Sequence, residues 1–333
     1  MNGRILVTDH PFDFGFEPEL EVLEPLGVEL TLADSTDPER LAELARGVDG
    51  ILVCFAQVPA AVLDVAAEGG CRIVSRYGIG FDNVDLAAAT RGGIVVTTVP
   101  DYCLGEVADH TLALLLAAAR GIDDTSAGVR AGEWELPRRP VHRLAGRRLA
   151  LIGSGAIGRR VADRARAFGL EIVVYDPYAD RSLVPDVQWA DTVEEAVADA
   201  HFISLHAPLT DDTRHIVGAA TLAAARQAPI LVNTARGGLV DLDAVAAALD
   251  DGTLTAAALA VTDPEPLPAD HPFRHDPRVL VTAHSAYHSK EAGRELQRRA
   301  AEEVARVLRG EDPQNPRNPD VLAILRERGN GAS

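Results

Sequence analysis

Residues 148–176 read RLALIGSGAIGRRVADRARAFGLEIVVYD. The apolar run RLALI leads straight into Gly153-Ser154-Gly155-Ala156-Ile157-Gly158, and a helix-forming stretch follows at once. Few local patterns restrict a fold so tightly. The run reads as a buried strand. The first glycine permits a tight turn out of it, the second lets backbone approach a pyrophosphate, and the third lets helix and strand pack closely. Unpaired N–H groups and the positive dipole end at the helix start suit phosphates. Asp176 ends the next strand, VVYD, about 20 residues on, where a dinucleotide site needs an acid for the ribose hydroxyls. A carboxylate there repels a 2′-phosphate, so the pattern favours NAD over NADP.

The rest of the chain fits a sheet of this kind, twice over. Before residue 100, RILVTD (4–9), VELTLA (28–33), GILVCF (50–55), RIVSRYG (72–78) and IVVTTVP (94–100) read as strands, with helical segments such as EPELEVLEPL between them. Such alternation means a parallel sheet covered on both faces. Residues 101–122 read as a long helix stopped by Gly121. A second series begins near Arg148, with RLALIG, EIVVYD, FISLHA, ILVNTA, TAAALAV and VLVTAH as six strands. An amphipathic helix over 290–310 and a tail rich in Pro and Asn follow. At 333 residues the chain exceeds one typical core, so two domains are expected.

Composition narrows the function classes. A net charge of −18 and a pI near 4.9 argue against a nucleic-acid surface. Lys290 is the only lysine, which leaves almost no room for catalysis by a lysine. Cys54, Cys71 and Cys103 are widely spaced and lack metal-ligand spacing, so buried reduced thiols are expected and no metal. No signal peptide or membrane-spanning run is read, which places the chain in the cytoplasm.

Ligands in open α/β folds bind beyond the carboxyl ends of the strands. Three polar residues stand there: Arg236 in LVNTARGGLVD, Glu265 in VTDPEPLP and His284 in VLVTAHSA. With these the sequence resembles the D-isomer-specific 2-hydroxyacid dehydrogenases, which carry an N-x-(A/S)-R-G segment, an acidic or amide residue before proline, and a late histidine. The resemblance covers nearly the whole chain. SRYGIGFDNVD (75–85) looks like the family's substrate loop, VPDYCLGEVADHTLALLL (99–116) its interdomain helix, and SLHAPLTDDTRHIV (204–217) its cofactor-side loop. Together these are most similar to the branch of the C-terminal-binding-protein corepressors.

The resemblance implies an architecture: a flavodoxin-like substrate domain of residues 1–99 plus 287–333, and an inserted Rossmann domain of residues 100–286, hinged so that closure excludes water. It implies a homodimer through the nucleotide domain. NAD would lie against Gly153, Gly155, Ala156, Ile157, Asp176, His206, Ala207, Pro208, Thr213, Thr234, Ala235, Arg236, His284 and Ala286. Substrate would meet Tyr77, Gly78, Ile79, Gly80, Tyr102, Arg236, His284 and Tyr287, the N–H groups of Ile79 and Gly80 taking its carboxylate. The residue types suit reduction of a 2-keto acid. His284 can give the proton, since imidazole titrates near working pH. Glu265 would orient that ring and favour its charged form, and the fork of Arg236 can hold carboxylate or carbonyl oxygen. Asp263 reads as a turn carboxylate.

Residue type alone leaves other readings open: Arg236 in a surface salt bridge, Glu265 on a solvated loop, His284 as a structural histidine. One departure is plain. Ala260 stands where the family carries an aspartate that anchors the nicotinamide carboxamide. Thr262 shares its face of the strand, so Thr262 or a water is expected to substitute. Two rival functions remain: an NAD(H)-sensing, corepressor-like protein with little turnover, or a dehydrogenase of a phosphonate or other biosynthetic substrate.

Overall fold

The computed structural model describes residues 3–324. Met1, Asn2 and 325–333, the outer ends of the expected substrate domain, lie outside the described residues. The chain divides into two compact units, Met1–Tyr102 with Ser289–Ser333, and Cys103–His288.

The first unit alternates β1 (Arg4–Val7), α1 (Glu17–Leu23), β2 (Glu29–Leu32), α2 (Pro38–Leu44), β3 (Gly50–Val53), α3 (Ala60–Glu68), β4 (Ile73–Arg76), α4 (Leu86–Gly92) and β5 (Val95–Thr97). The strands form one sheet in the order β2-β1-β3-β4-β5, every pairing parallel. This is the flavodoxin-like order, with its switch point between β1 and β3. β3, at the centre, is buried along its whole length, as an apolar strand covered on both faces must be. The expected helix EPELEVLEPL ends early: Glu24–Leu26 is a 3-10 turn, because Pro25 has no N–H to continue the ladder. A chain segment following the second unit completes the first. Its helix, Lys290–Leu308 (α11 below), is capped by Ser289 Oγ on Ala292 N and packs on α1 and β4. Arg317 N donates to Val96 O and Val96 N to Asn318 Oδ1, which fixes the following segment along β5.

The second unit opens with α5 (Leu104–Arg120). Gly121 ends it at φ 61, but α6 (Ile122–Arg130) starts at the next residue. Then come β6 (Arg148–Ile152), α7 (Ala156–Ala167), β7 (Glu171–Tyr175), β8 (Gln188–Trp189), α8 (Val193–Val197), β9 (Phe202–Leu205), α9 (Ala219–Ala224), β10 (Ile230–Asn233), α10 (Leu242–Asp251), β11 (Ala256–Leu259) and β12 (Val279–Val281). The sheet runs β12-β11-β10-β9-β6-β7-β8, all parallel. This is the 3-2-1-4-5-6 order of a dinucleotide-binding sheet with a seventh strand, β12, at the far edge. The sequence pattern gives six strands and the structure seven. The additional one is β8, whose two residues are too few to show an alternation.

β6 lies between β7 and β9, so the strand order reverses there, and ligands of such sheets sit at that point. Register places Ile152 opposite Leu205, so the chain leaves β6 at Gly153 directly beside His206. All three cysteines are buried thiols. Among the described residues, no helix is long and apolar enough to cross a membrane.

Candidate active site

The glycine turn has the geometry that each glycine's place in the motif requires. Gly153 has φ +98, and a Cβ on it would lie 2.6 Å from the His206 carbonyl carbon. A Cβ on Gly158 would lie 2.4 Å from Gly153 O, so α7 packs on the turn only with glycine there. Gly155, between them, faces open space. No side chain caps α7, which leaves its first N–H groups for a ligand. Asp176 is already oriented. Its Oδ2 accepts from Ser154 N at 2.8 Å and Ser154 Oγ at 3.0 Å, and its Oδ1 from Tyr178 N at 3.0 Å. The turn, the uncapped helix and the held acid fit a dinucleotide.

The β9 loop borders that turn. His206 shares a hydrogen bond of 2.9 Å with Ser204, and burial lowers its pKa to about 4, so its ring is neutral. Thr213 Oγ1 donates to Pro208 O at 2.6 Å, closing the loop that also holds Ala207. After β10, Thr234 is buried against Thr111 of α5, with 2.8 Å between hydroxyls. Asn233 shapes the turn that leaves β10: its Oδ1 accepts from Ala235 N at 3.0 Å and its Nδ2 donates to Arg236 O at 2.8 Å. The half-buried Arg236 is thereby set at the strand end. A Cβ on the next residue, Gly237, would lie 2.0 Å from Thr262 O, so the β10 and β11 loops touch through backbone.

Glu265 and His284 meet across those loops. Glu265 Oε1 lies 2.9 Å from His284 Nδ1, with 39% and 25% of the side chains exposed, so the pair is half-buried rather than sealed. His110 of α5 reaches Thr282 at 3.3 Å, bracing the strand end from which His284 projects. Tyr287 follows with its ring centroid 6.4 Å from that of His284, and Ala286 is buried. The Asp263–Pro264 and Glu265–Pro266 peptides are cis. Asp263 faces outward and pairs with Arg214 at 3.3 Å, as a turn carboxylate would.

Ala260 is 1% exposed at the end of β11, and its N–H donates to Asn233 O. The hydroxyl of Thr262 donates to Pro264 O at 2.9 Å. Its one proton is therefore used inside the loop, and Thr262 stands in for the family aspartate as an acceptor at most. A pocket of about 770 Å³ lies beside Ala260, Thr262, Glu265 and His284, walled opposite by Asp124 and Ala127 of α6. That is the size of a small-molecule site.

Arg236, Glu265, His284 and every residue expected against the dinucleotide thus lie in the second unit, at the carboxyl ends of its strands or in the adjoining turns. Tyr77, Gly78, Ile79, Gly80 and Tyr102 belong to the first unit. The Tyr77 side chain is 1% exposed and its hydroxyl is held by Glu19, so its ring is not a surface for substrate. Of two residues that hold this machinery, Asn233 opens the N-x-(A/S)-R-G segment, but Ser154 is not singled out by the sequence. Ser154 sits at a free position of the glycine motif, and its bond to Asp176 spans two strands.

Comparison with known proteins bears on the same residues. The family model described as "D-isomer specific 2-hydroxyacid dehydrogenase, NAD binding domain" matches residues 112–286. The chain is 38% identical over 315 residues to a D-3-phosphoglycerate dehydrogenase of Methanocaldococcus jannaschii, a match covering 94% of this chain and 59% of that protein. It is 36% identical over 259 residues to a glyoxylate reductase of Korarchaeum cryptofilum, covering 76% of this chain and 78% of the relative. The crystal structure of the TT0316 protein from Thermus thermophilus superposes with a TM-score of 0.85 at 35% identity, covering 94% and 99% of the two chains.

Proposed function

The chain belongs to the D-isomer-specific 2-hydroxyacid dehydrogenase family, and we propose that it interconverts a 2-keto acid and a D-2-hydroxy acid with NAD(H). The Glu265–His284 contact of 2.9 Å carries this reading. With Nδ1 held by the carboxylate, Nε2 is the nitrogen that gives its proton to the substrate oxygen. Gly153–Gly158 and Asp176 would hold NADH, which when bound would supply a hydride to C2. As C2 accepts it, the carbonyl electron pair moves to oxygen, which takes the His284 proton. Glu265 stabilises the imidazolium before transfer. Arg236 offers two N–H groups to the substrate's oxygens. In the first unit, the N–H groups of Ile79 and Gly80 take the carboxylate. The test is NADH-dependent reduction of a 2-keto-acid panel, including phosphono-keto acids, with chiral analysis of the product. A D product supports the reading; an L product, or none, defeats it.

Asp176 supports a preference for NADH over NADPH, since a 2′-phosphate would meet a carboxylate already bonded on both oxygens. Ala260 favours a second reading, the dinucleotide sensor of the corepressor branch, because an alanine methyl accepts no hydrogen bond. Ala260→Asp is expected to tighten NADH binding by roughly tenfold, the worth of one restored hydrogen bond to an otherwise unpaired donor. Fluorescence titration with NADH checks it, alongside turnover. No gain in either would show that the lost aspartate is not what sets affinity here.

The segment after α5 supports a homodimer through the nucleotide unit. Trp134 and Leu136 are each 87% exposed, and Ile122 and Val129 of α6 are more than half exposed. Apolar groups grouped along one segment in this way mark an interface. Trp134→Glu with Leu136→Glu is expected to yield a monomer by analytical ultracentrifugation. A dimer unchanged in the double variant would place the interface elsewhere. Three buried thiols fit a cytoplasmic location.

A further inference from the structure

The first unit buries a carboxylate that the chemistry above does not use. Glu19, on α1, is fully buried. Its Oε1 accepts from the Tyr77 hydroxyl at 2.7 Å, and its Oε2 from Gln297 Nε2 of α11 at 2.9 Å. The second Gln297 amide proton goes to Gly15 O at 2.8 Å. His10 Nε2 lies 3.3 Å from Glu19 Oε1 and 3.1 Å from Gln297 Nε2. The rings of Phe12 and Phe16 pack against His10, with centroids 5.1 and 4.2 Å away, and cover the cluster. Burial, and next the Glu19 charge, push the Tyr77 phenol well above its ordinary pKa, so it stays a donor.

Such a cluster is an expensive way to hold helices together. Apolar residues of similar shape commonly serve as well or better, and Gln297 Oε1 is left without a partner among the described residues. The cluster's reach explains it better. Tyr77 directly precedes a turn whose geometry is unusual at Gly78. Gly78 has φ +142, and a Cβ there would lie 1.4 Å from Arg76 Nη1, because that guanidinium packs beneath the turn and donates to Tyr77 O at 2.7 Å. Tyr77 N is tied to Val53 O and Gly78 O to Val99 N. The next two N–H groups, of Ile79 and Gly80, donate to no backbone acceptor among the described residues. Adjacent N–H groups without acceptors form an anion-binding concavity only while the turn keeps its shape.

We propose that Glu19, acting through Tyr77 with Gln297 and His10, is a positioning residue that holds the Gly78–Gly80 turn in the shape that binds the substrate carboxylate. The inference rests on the proposed function and adds to it which residues fix that turn. Tyr77→Phe removes one hydroxyl and leaves the ring. Glu19→Gln keeps the shape and replaces one of the two acceptor oxygens by an NH2 donor, so that either the Tyr77 hydroxyl or Gln297 Nε2 faces a donor instead of an acceptor.

The experiment uses glyoxylate, whose only group beside the carbonyl is its carboxylate. KM and kcat for glyoxylate, the Kd for NADH and the melting temperature are measured for the wild type and both variants. KM is expected to rise roughly tenfold in Tyr77→Phe and further in Glu19→Gln, with a smaller change in kcat and NADH binding unmoved. A purely structural role would lower the melting temperature and leave KM within about twofold of wild type, and that result overturns the inference alone. A wild type without turnover on any 2-keto acid overturns the proposed function and this inference with it.

Discussion

His284→Ala is expected to lower kcat by about a thousandfold, within the range of general acid–base groups, while the Kd for NADH stays near the wild-type value. The size follows from the chemistry. Without the imidazole, the alkoxide forming at C2 oxygen must take its proton from water. Glu265→Gln is expected to cost less, roughly ten- to a hundredfold, because an amide oxygen still accepts from Nδ1 but no longer stabilises the imidazolium. The double variant should be little worse than His284→Ala alone, since two groups acting as one unit do not add. Additive losses would mean that the 2.9 Å contact between them does not couple their roles. The assay is steady-state reduction of the best substrate of the panel.

Arg236→Leu is expected to lower kcat/KM by about a hundred- to a thousandfold, the range for removing a fixed donor to developing charge. Arg236→Lys should recover only a small part, because a point ammonium cannot replace a planar fork. The position of Arg236 depends on its neighbours. Asn233 holds its carbonyl at 2.8 Å, and Gly237 lets the loop lie directly on Thr262. A surface ion pair would behave otherwise: its removal would leave activity nearly intact. Retained kcat/KM in Arg236→Leu would therefore remove it from the site.

Much of the fold was legible because its signals are local. The glycine motif, the strand before it and the acid after it lie within one continuous stretch, residues 148–176, and the apolar runs announced parallel strands, most of them buried, although β2 at the sheet edge is largely exposed. Legibility failed where the signal was short or hidden. β8 has two residues, too few for a period. α6 begins at the residue after the glycine that ends α5, so a correct stop signal concealed a new start. The site divided along the same line. Arg236, Glu265 and His284 stand at strand ends in segments of marked composition, and the resemblance gave them roles. Ser154 and Glu19 act through partners remote in sequence: Ser154 meets Asp176 across 22 positions, and Glu19 meets Tyr77 across 58 and Gln297 across 278. No window of sequence shows such a pairing. Thr262 shows a further limit. Strand alternation placed it on the face of Ala260, but its hydroxyl turns into its own loop, toward Pro264.

In the proposed reaction His284 protonates, and NADH reduces, the same 2-keto acid. Its most direct test uses NADH carrying deuterium at the reactive C4 position, mixed with enzyme and each acid of the panel, with products read by mass spectrometry and chiral chromatography. One deuterium is expected at C2 of a D-2-hydroxy acid with the wild type, and almost none with His284→Ala in the same time. Tight NADH binding with no deuterium transferred to any acid would contradict it, and would make the chain a sensor of the dinucleotide rather than an enzyme that consumes it.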